Sequence, residues 1–91
     1  MKDCVDVAAI ARRLKKIEGQ IRGIQKMIED DKNCEDILIQ IGAAKSALHK
    51  TGQVILEGHL RHCLLDGINE GDEERVLKRF TVALEQFSRM V

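Results

Sequence analysis

Between positions 10 and 28 the apolar residues recur in steps of four and three: Ile10, Leu14, Ile17, Ile21, Ile24 and Ile28. That spacing holds them on one stripe of an amphipathic, coiled-coil-like helix. A second series, Cys34, Ile37, Ile41, Ala44, Leu48, Thr51 and Ile55, takes the same steps and, extended, arrives at 58–59 and 62–63. A third, Val76, Phe80, Leu84, Phe87 and Val91, is shorter and acidic at its start. The pattern predicts three helices, at about 4–30, 34–68 and 73–90. Asn33 suits the N-cap of the second, with Glu35 and Asp36 in its first turn, where the helix dipole favours acids. "NEGDEE" ends that pattern, and Asp72 can cap the third helix. The expected architecture is all-α, one domain over 1–91.

Composition narrows the picture. The chain is 44% hydrophobic and 33% charged, with no proline, tryptophan or tyrosine. Such a mix suits helices, and a chain of this length often gains stability by oligomerising. No apolar run approaches the ~18–20 residues of a membrane span. No signal peptide is visible, so a cytoplasmic protein is expected. Three cysteines, an odd number, speak for metal or redox chemistry over a disulfide framework. No phosphate loop, serine nucleophile elbow or inward carboxylate pair marks an enzyme.

Net charge is zero, but its distribution is uneven. Arg12, Arg13, Lys15, Lys16, Arg22 and Lys26 face a single acid, Glu18, in the same stretch. They form either a solvated helix face or a patch that becomes a nucleic-acid surface when subunits assemble. Gly19 and Gly23, four apart in "EGQIRG", suggest close packing between helices or near DNA.

Cys34, His59 and Cys63 raise a sharper question. A cysteine on an apolar face is ordinarily a small hydrophobe, and a lone histidine ordinarily structural. At roughly 100° per residue, however, His59 and Cys63 lie about 20° to either side of Cys34, on one helix face. Along the axis, a rise of ~1.5 Å per residue separates Cys34 from His59 by roughly 38 Å. Two copies laid antiparallel about residues 47–48 bring Cys34 of one level with His59 and Cys63 of the other. Ala43, Ala44 and Ala47 allow the close approach. An antiparallel homodimer with two equal sites follows. The competing geometry breaks the helix at Thr51-Gly52 and closes the site within one chain. Two thiolates and an imidazole are a soft set, suited to Cu(I), zinc or iron–sulfur centres, and three ligands satisfy Cu(I). Cys34 sits in a first helical turn, which equally favours reaction with a reactive sulfur species.

"RLKKIEGQIRGIQKMIEDDKNCEDILIQIGAAKSALHK" followed by "ILEGHLRHC" resembles the CsoR/RcnR family of bacterial metal-sensing repressors, from about Ala11 to Ile68. The resemblance implies a dimer of dimers, operator DNA bound by the apo form, and release on ligand binding. It implies a ligand set like that of the copper-sensing branch at Cys34, His59 and Cys63. It implies DNA contacts at Arg13 and Lys50, supported by Lys15, Lys16, Arg22 and Lys45. Two positions depart from the copper-sensing pattern, which often has a tyrosine where Asn33 stands and a glutamate near Arg79. Such groups tune the metal and its coupling. Glu73 or Glu74 could replace the glutamate. Other inducers therefore stay open: persulfide on Cys34 and Cys63, or Ni(II) or Co(II) with Cys4 as an added ligand. Zn(II) is a further option, and a metal buffer that ignores DNA is the alternative from another functional class.

Overall fold

The computed structural model describes residues 5–64, 71 and 73–88, with backbone alone for Cys63, Leu64, Val76 and Ser88. Three α-helices are present: α1 (Val7–Glu29), α2 (Cys34–His59) and α3 (Glu73–Ser88). A π-helical turn, Leu60–Leu64, follows α2 directly. No strand occurs among the described residues. The chain groups into two compact units, 8–51 and 1–7 with 52–91.

The first unit is a helical hairpin whose turn is set by hydrogen bonds. The Lys32 N–H donates to the Met27 carbonyl at 3.0 Å and the Asp31 N–H to the Ile28 carbonyl at 3.2 Å. This pair of bonds is a Schellman cap, and it needs a left-handed residue at its bend. Asp31 supplies it, with φ 56°. The Asn33 carbonyl then accepts the Ile37 N–H at 3.1 Å, which opens α2 with Asn33 at the N-cap position.

Packing splits the stripe of α1 in two. Ile10 and Ile17 are buried and Ile24 half-buried, whereas Leu14, Ile21 and Ile28 are 45–62% exposed. Alternate members of the four-three series thus face inward, one per heptad. On α2, Ile37, Ala44 and Thr51 turn inward, while Cys34, Ile41 and Leu48 stay exposed. Thr51 is 2% exposed and satisfies its hydroxyl by donating to the Ala47 carbonyl at 2.9 Å. The cause is geometric: one neighbouring helix covers only half of a two-sided seam.

α2 stays helical through Thr51 and Gly52, so the break that would fold it back on itself does not occur. The spacing predicts this helix to about 68. The described backbone is α-helical to His59 and π-helical from Leu60 to Leu64, and 65–70 lie outside the described residues. A π turn, bonded i to i+5, sweeps less angle per residue than an α turn. The angle deduced for Cys63 from α-helical geometry is reduced accordingly. In the second unit α3 packs against this π turn. Gly71 adopts φ +76° just before α3, a conformation that favours glycine. The predicted cap Asp72 lies outside the described residues.

Candidate metal and nucleic-acid sites

Within the hairpin, α1 and α2 line a cleft of about 600 Å³. Its walls include Arg12, Arg13, Lys16 and Gln20 from α1 and Lys50 from α2. Residues 12, 16 and 20 are four apart and 13, 16 and 20 three or four apart, so α1 presents them on one face. The cleft therefore collects Arg13, Lys16 and Lys50, together with Arg12 of the basic patch, and adds Gln20, which the sequence did not nominate. Lys15, Arg22 and Lys45 are exposed but do not line it. Arg22 instead pairs with Glu18 at 3.6 Å on the surface. The Gln20 Oε1 is buried without a hydrogen-bond partner among the described residues. With the side-chain amide turned over, an N–H would take that place, a donor in a cleft already rich in cations.

Among the described residues, nothing packs against Gly19 or Gly23. A methyl group added at either meets no atom within 4 Å among the described residues. Of the two roles suggested by the sequence, close packing between helices finds no support among the described residues.

The soft ligands are spread out. Cys34 opens α2 with an exposed free thiol on the uncovered half of the seam. His59 closes the same helix, half-buried. Cys63 lies in the π turn, and only its backbone is described. Among the described residues, no three His, Cys, Asp or Glu side chains cluster as a metal site. Cys4 lies outside the described residues.

His59 has a defined neighbourhood within the second unit. It lines a pocket of about 460 Å³ with Arg75, Lys78, Arg79, Val82 and Ala83 of α3. Arg79, near which the sequence resemblance expects a glutamate, thus lines the same pocket as the candidate ligand. Glu73 and Glu74 are exposed and do not line the pocket.

Comparison with known proteins gives the context. Residues 6–89 match the family model for metal-sensitive transcriptional repressors. The chain is 42% identical over 80 residues to the copper-sensing transcriptional repressor CsoR of Bacillus subtilis, covering 88% of this chain and 79% of that one. It is 49% identical over 61 residues to the copper-sensing repressor RicR of Mycobacterium tuberculosis, covering 67% and 64%. Among solved structures, the copper-sensing repressor CsoR with Cu(I) from Geobacillus thermodenitrificans superposes with TM-score 0.84 at 45% identity, over 90% of this chain and 85% of that one. The nickel-responsive regulator InrS superposes with TM-score 0.87 at 33% identity, over 90% and 92%. The described helices include none long and apolar enough to cross a membrane. The chain belongs to the CsoR/RcnR family of metal-sensitive transcriptional repressors, within which it is similar to the copper-sensing members.

Proposed function

We propose that the protein binds operator DNA in its ligand-free form and lets go when Cu(I) is held between subunits by Cys34 of one and His59 and Cys63 of another. The observation that carries the DNA half is the cleft where Arg12, Arg13, Lys16 and Lys50 converge. Guanidinium and ammonium groups from two helices, set in one concavity, suit phosphate oxygens. Such contacts fix position on the duplex and make binding strongly salt-dependent. The family carries the regulatory half, since its members are metal-sensitive repressors.

The inducer site draws on the exposed stripe of α2. Cys34, Ile41 and Leu48, seven positions apart on one stripe, are all exposed, and a second copy laid antiparallel would bury them. That pairing levels Cys34 with the other copy's His59 and Cys63 and gives two equal sites per dimer. Pairing of two such dimers gives the tetramer expected of the family, working in the cytoplasm, where thiols stay reduced. Two thiolates and one imidazole fit Cu(I), which would supply a soft three-coordinate tie between the subunits. DNA release then is a population shift: a few kcal/mol of differential binding moves occupancy by orders of magnitude.

A second reading has its own observation. Cys34 is an exposed thiol, and among the described residues Arg79, with no carboxylate, lines the pocket of His59. A persulfide-responsive pair, Cys34 and Cys63, would need no metal. Both readings are tested by fluorescence anisotropy of reduced protein on an operator selected from a random duplex pool. Cu(I), Ni(II) or a persulfide donor is added anaerobically to wild type and His59→Ala. The copper account expects DNA binding by both apo proteins, and release of wild type alone by one Cu(I) per chain. Release of both proteins by persulfide, with Cu(I) inert, would install the sulfur switch. Failure of the apo protein to bind duplex DNA at low salt would defeat both.

A further inference from the structure

Gln20 stands on the cationic face of α1 without sharing its charge. It lies four residues after Lys16 and seven after Arg13, so the helix carries all three on one side. All three line the cleft with Lys50 of α2, and all belong to the hairpin unit of residues 8–51. Arg13, Lys16 and Lys50 are exposed, whereas Gln20 is half-buried and its Oε1 is enclosed. That oxygen has no hydrogen-bond partner among the described residues. Thr51 lines the same cleft, but its hydroxyl proton is committed to the Ala47 carbonyl at 2.9 Å. A hydroxyl has one proton, so Thr51 has none to give an amide oxygen.

A buried amide that bonds to nothing does little for the free hairpin. Removing an unsatisfied polar group is neutral or favourable, whereas removing a bonded one is costly. Such a group asks for a partner, and the chemistry of the cleft says which. A phosphate offers only acceptor oxygens, and an amide nitrogen carries two N–H donors. The last torsion of a glutamine side chain is broad, so the nitrogen can take the oxygen's place when an acceptor arrives. We infer that Gln20 is a DNA-positioning residue: its side-chain N–H donates to a backbone phosphate that the cations of α1 and α2 draw into the cleft. This inference rests on the DNA-binding reading of the cleft. The two kinds of side chain then act differently. Lysine and arginine attract the phosphate from a distance and release its counterions. The neutral amide adds no charge, and its directional bond fixes where the phosphate oxygen sits.

The test compares Gln20→Met, Gln20→Glu and Arg13→Ala with wild type, as reduced, ligand-free full chains. Methionine keeps the length and helix preference of glutamine but has no N–H. Binding to the selected operator and to a random duplex is followed by anisotropy across a range of salt. Urea denaturation at one fixed chain concentration and sedimentation report stability and self-association. Gln20→Met is expected to weaken both duplexes alike, by on the order of tenfold, the effect of one hydrogen bond to a charged acceptor. Its salt slope stays that of wild type, because a neutral contact releases no counterion, whereas Arg13→Ala lowers the slope by about 1. Its urea midpoint equals or exceeds that of wild type, and its self-association is unchanged. Gln20→Glu sets a carboxylate against the phosphate and loses more than Gln20→Met. Unchanged DNA affinity in either Gln20 variant would overturn the assignment. So would a loss accompanied by a lower urea midpoint or weaker self-association, which would place the amide's partner in water, in the chain or in a second subunit. A loss confined to the operator would make Gln20 a base reader and overturn the phosphate contact. In each of these cases wild type still binds DNA, and the reading of the cleft stands. A wild type that binds neither duplex at low salt would overturn both.

Discussion

Asp31 shows how much one backbone angle asks of a residue. The cap that turns α1 into α2 needs a left-handed residue, and aspartate occupies it at φ 56°. Left-handed backbone costs an L-residue roughly 1–2 kcal/mol, less for Asp and Asn, and glycine is free of that penalty. Asp31→Gly is therefore expected to raise stability by about 0.5–1 kcal/mol, and Asp31→Ala to lower it by about 1 kcal/mol. Urea denaturation at one fixed chain concentration measures both, and the opposite order would refute the cap. At the same scale, Arg13 and Lys50 are assigned to phosphate. Loss of either to alanine should weaken binding to specific and random duplexes alike, and reduce the salt slope of log K by about 1. A loss confined to one DNA sequence would instead make that residue a base reader. Arg12 and Gln20 were legible only in part. Their spacing from Lys16 puts them on one helix face, but that α2 would bring Lys50 to the same cleft is a tertiary fact.

At the scale of the elements, the four-three spacing located α1 and α2, and periodicity also put Cys34 on the seam. It could not say which half of the seam the chain keeps for itself. Ile17 and Ile21 look alike in sequence, yet one is buried and the other half exposed, because coverage depends on where the neighbouring helix lies. The π turn was not legible either, since i to i+5 bonding has no residue signature in "LRHCL". It changes the setting of Cys63, which α-helical arithmetic had fixed. The pocket beside His59 was read only at Arg79. Arg75 and Lys78 join it because α3 packs on the π turn. Gly19 and Gly23 carry an element-scale prediction. Each glycine costs a helix about 0.8–1 kcal/mol relative to alanine, and no described residue packs against either. Gly19→Ala/Gly23→Ala should raise thermal stability while weakening DNA binding severalfold in the anisotropy assay. Greater stability with unchanged DNA affinity would remove DNA approach as the reason for these glycines.

For the molecule as a whole, the described chain buries few large side chains. Ile10 and Ile17 are the buried hydrophobic residues among those described, and Thr51 joins them. Leu14, Ile21, Ile28, Ile41 and Leu48 meanwhile keep roughly half their surface in water. Exposed apolar stripes of this kind suit an interface, from which a small domain draws stability. The functional account uses the same surface: association completes the seam, and completing the seam assembles the ligands. The most direct test of that claim is Cu(I) binding by mixed subunits. Cys34→Ala lacks one part of the site, and His59→Ala/Cys63→Ala lacks the other. Each is titrated alone against a tight Cu(I) chelator under anaerobic conditions, then after the two are mixed in equal amounts and allowed to exchange subunits. The account predicts weak binding by either protein alone and about one tight site per four chains in the mixture, because each mixed dimer rebuilds one complete site. Tight binding that never returns on mixing, despite demonstrated subunit exchange, would contradict a site shared between subunits.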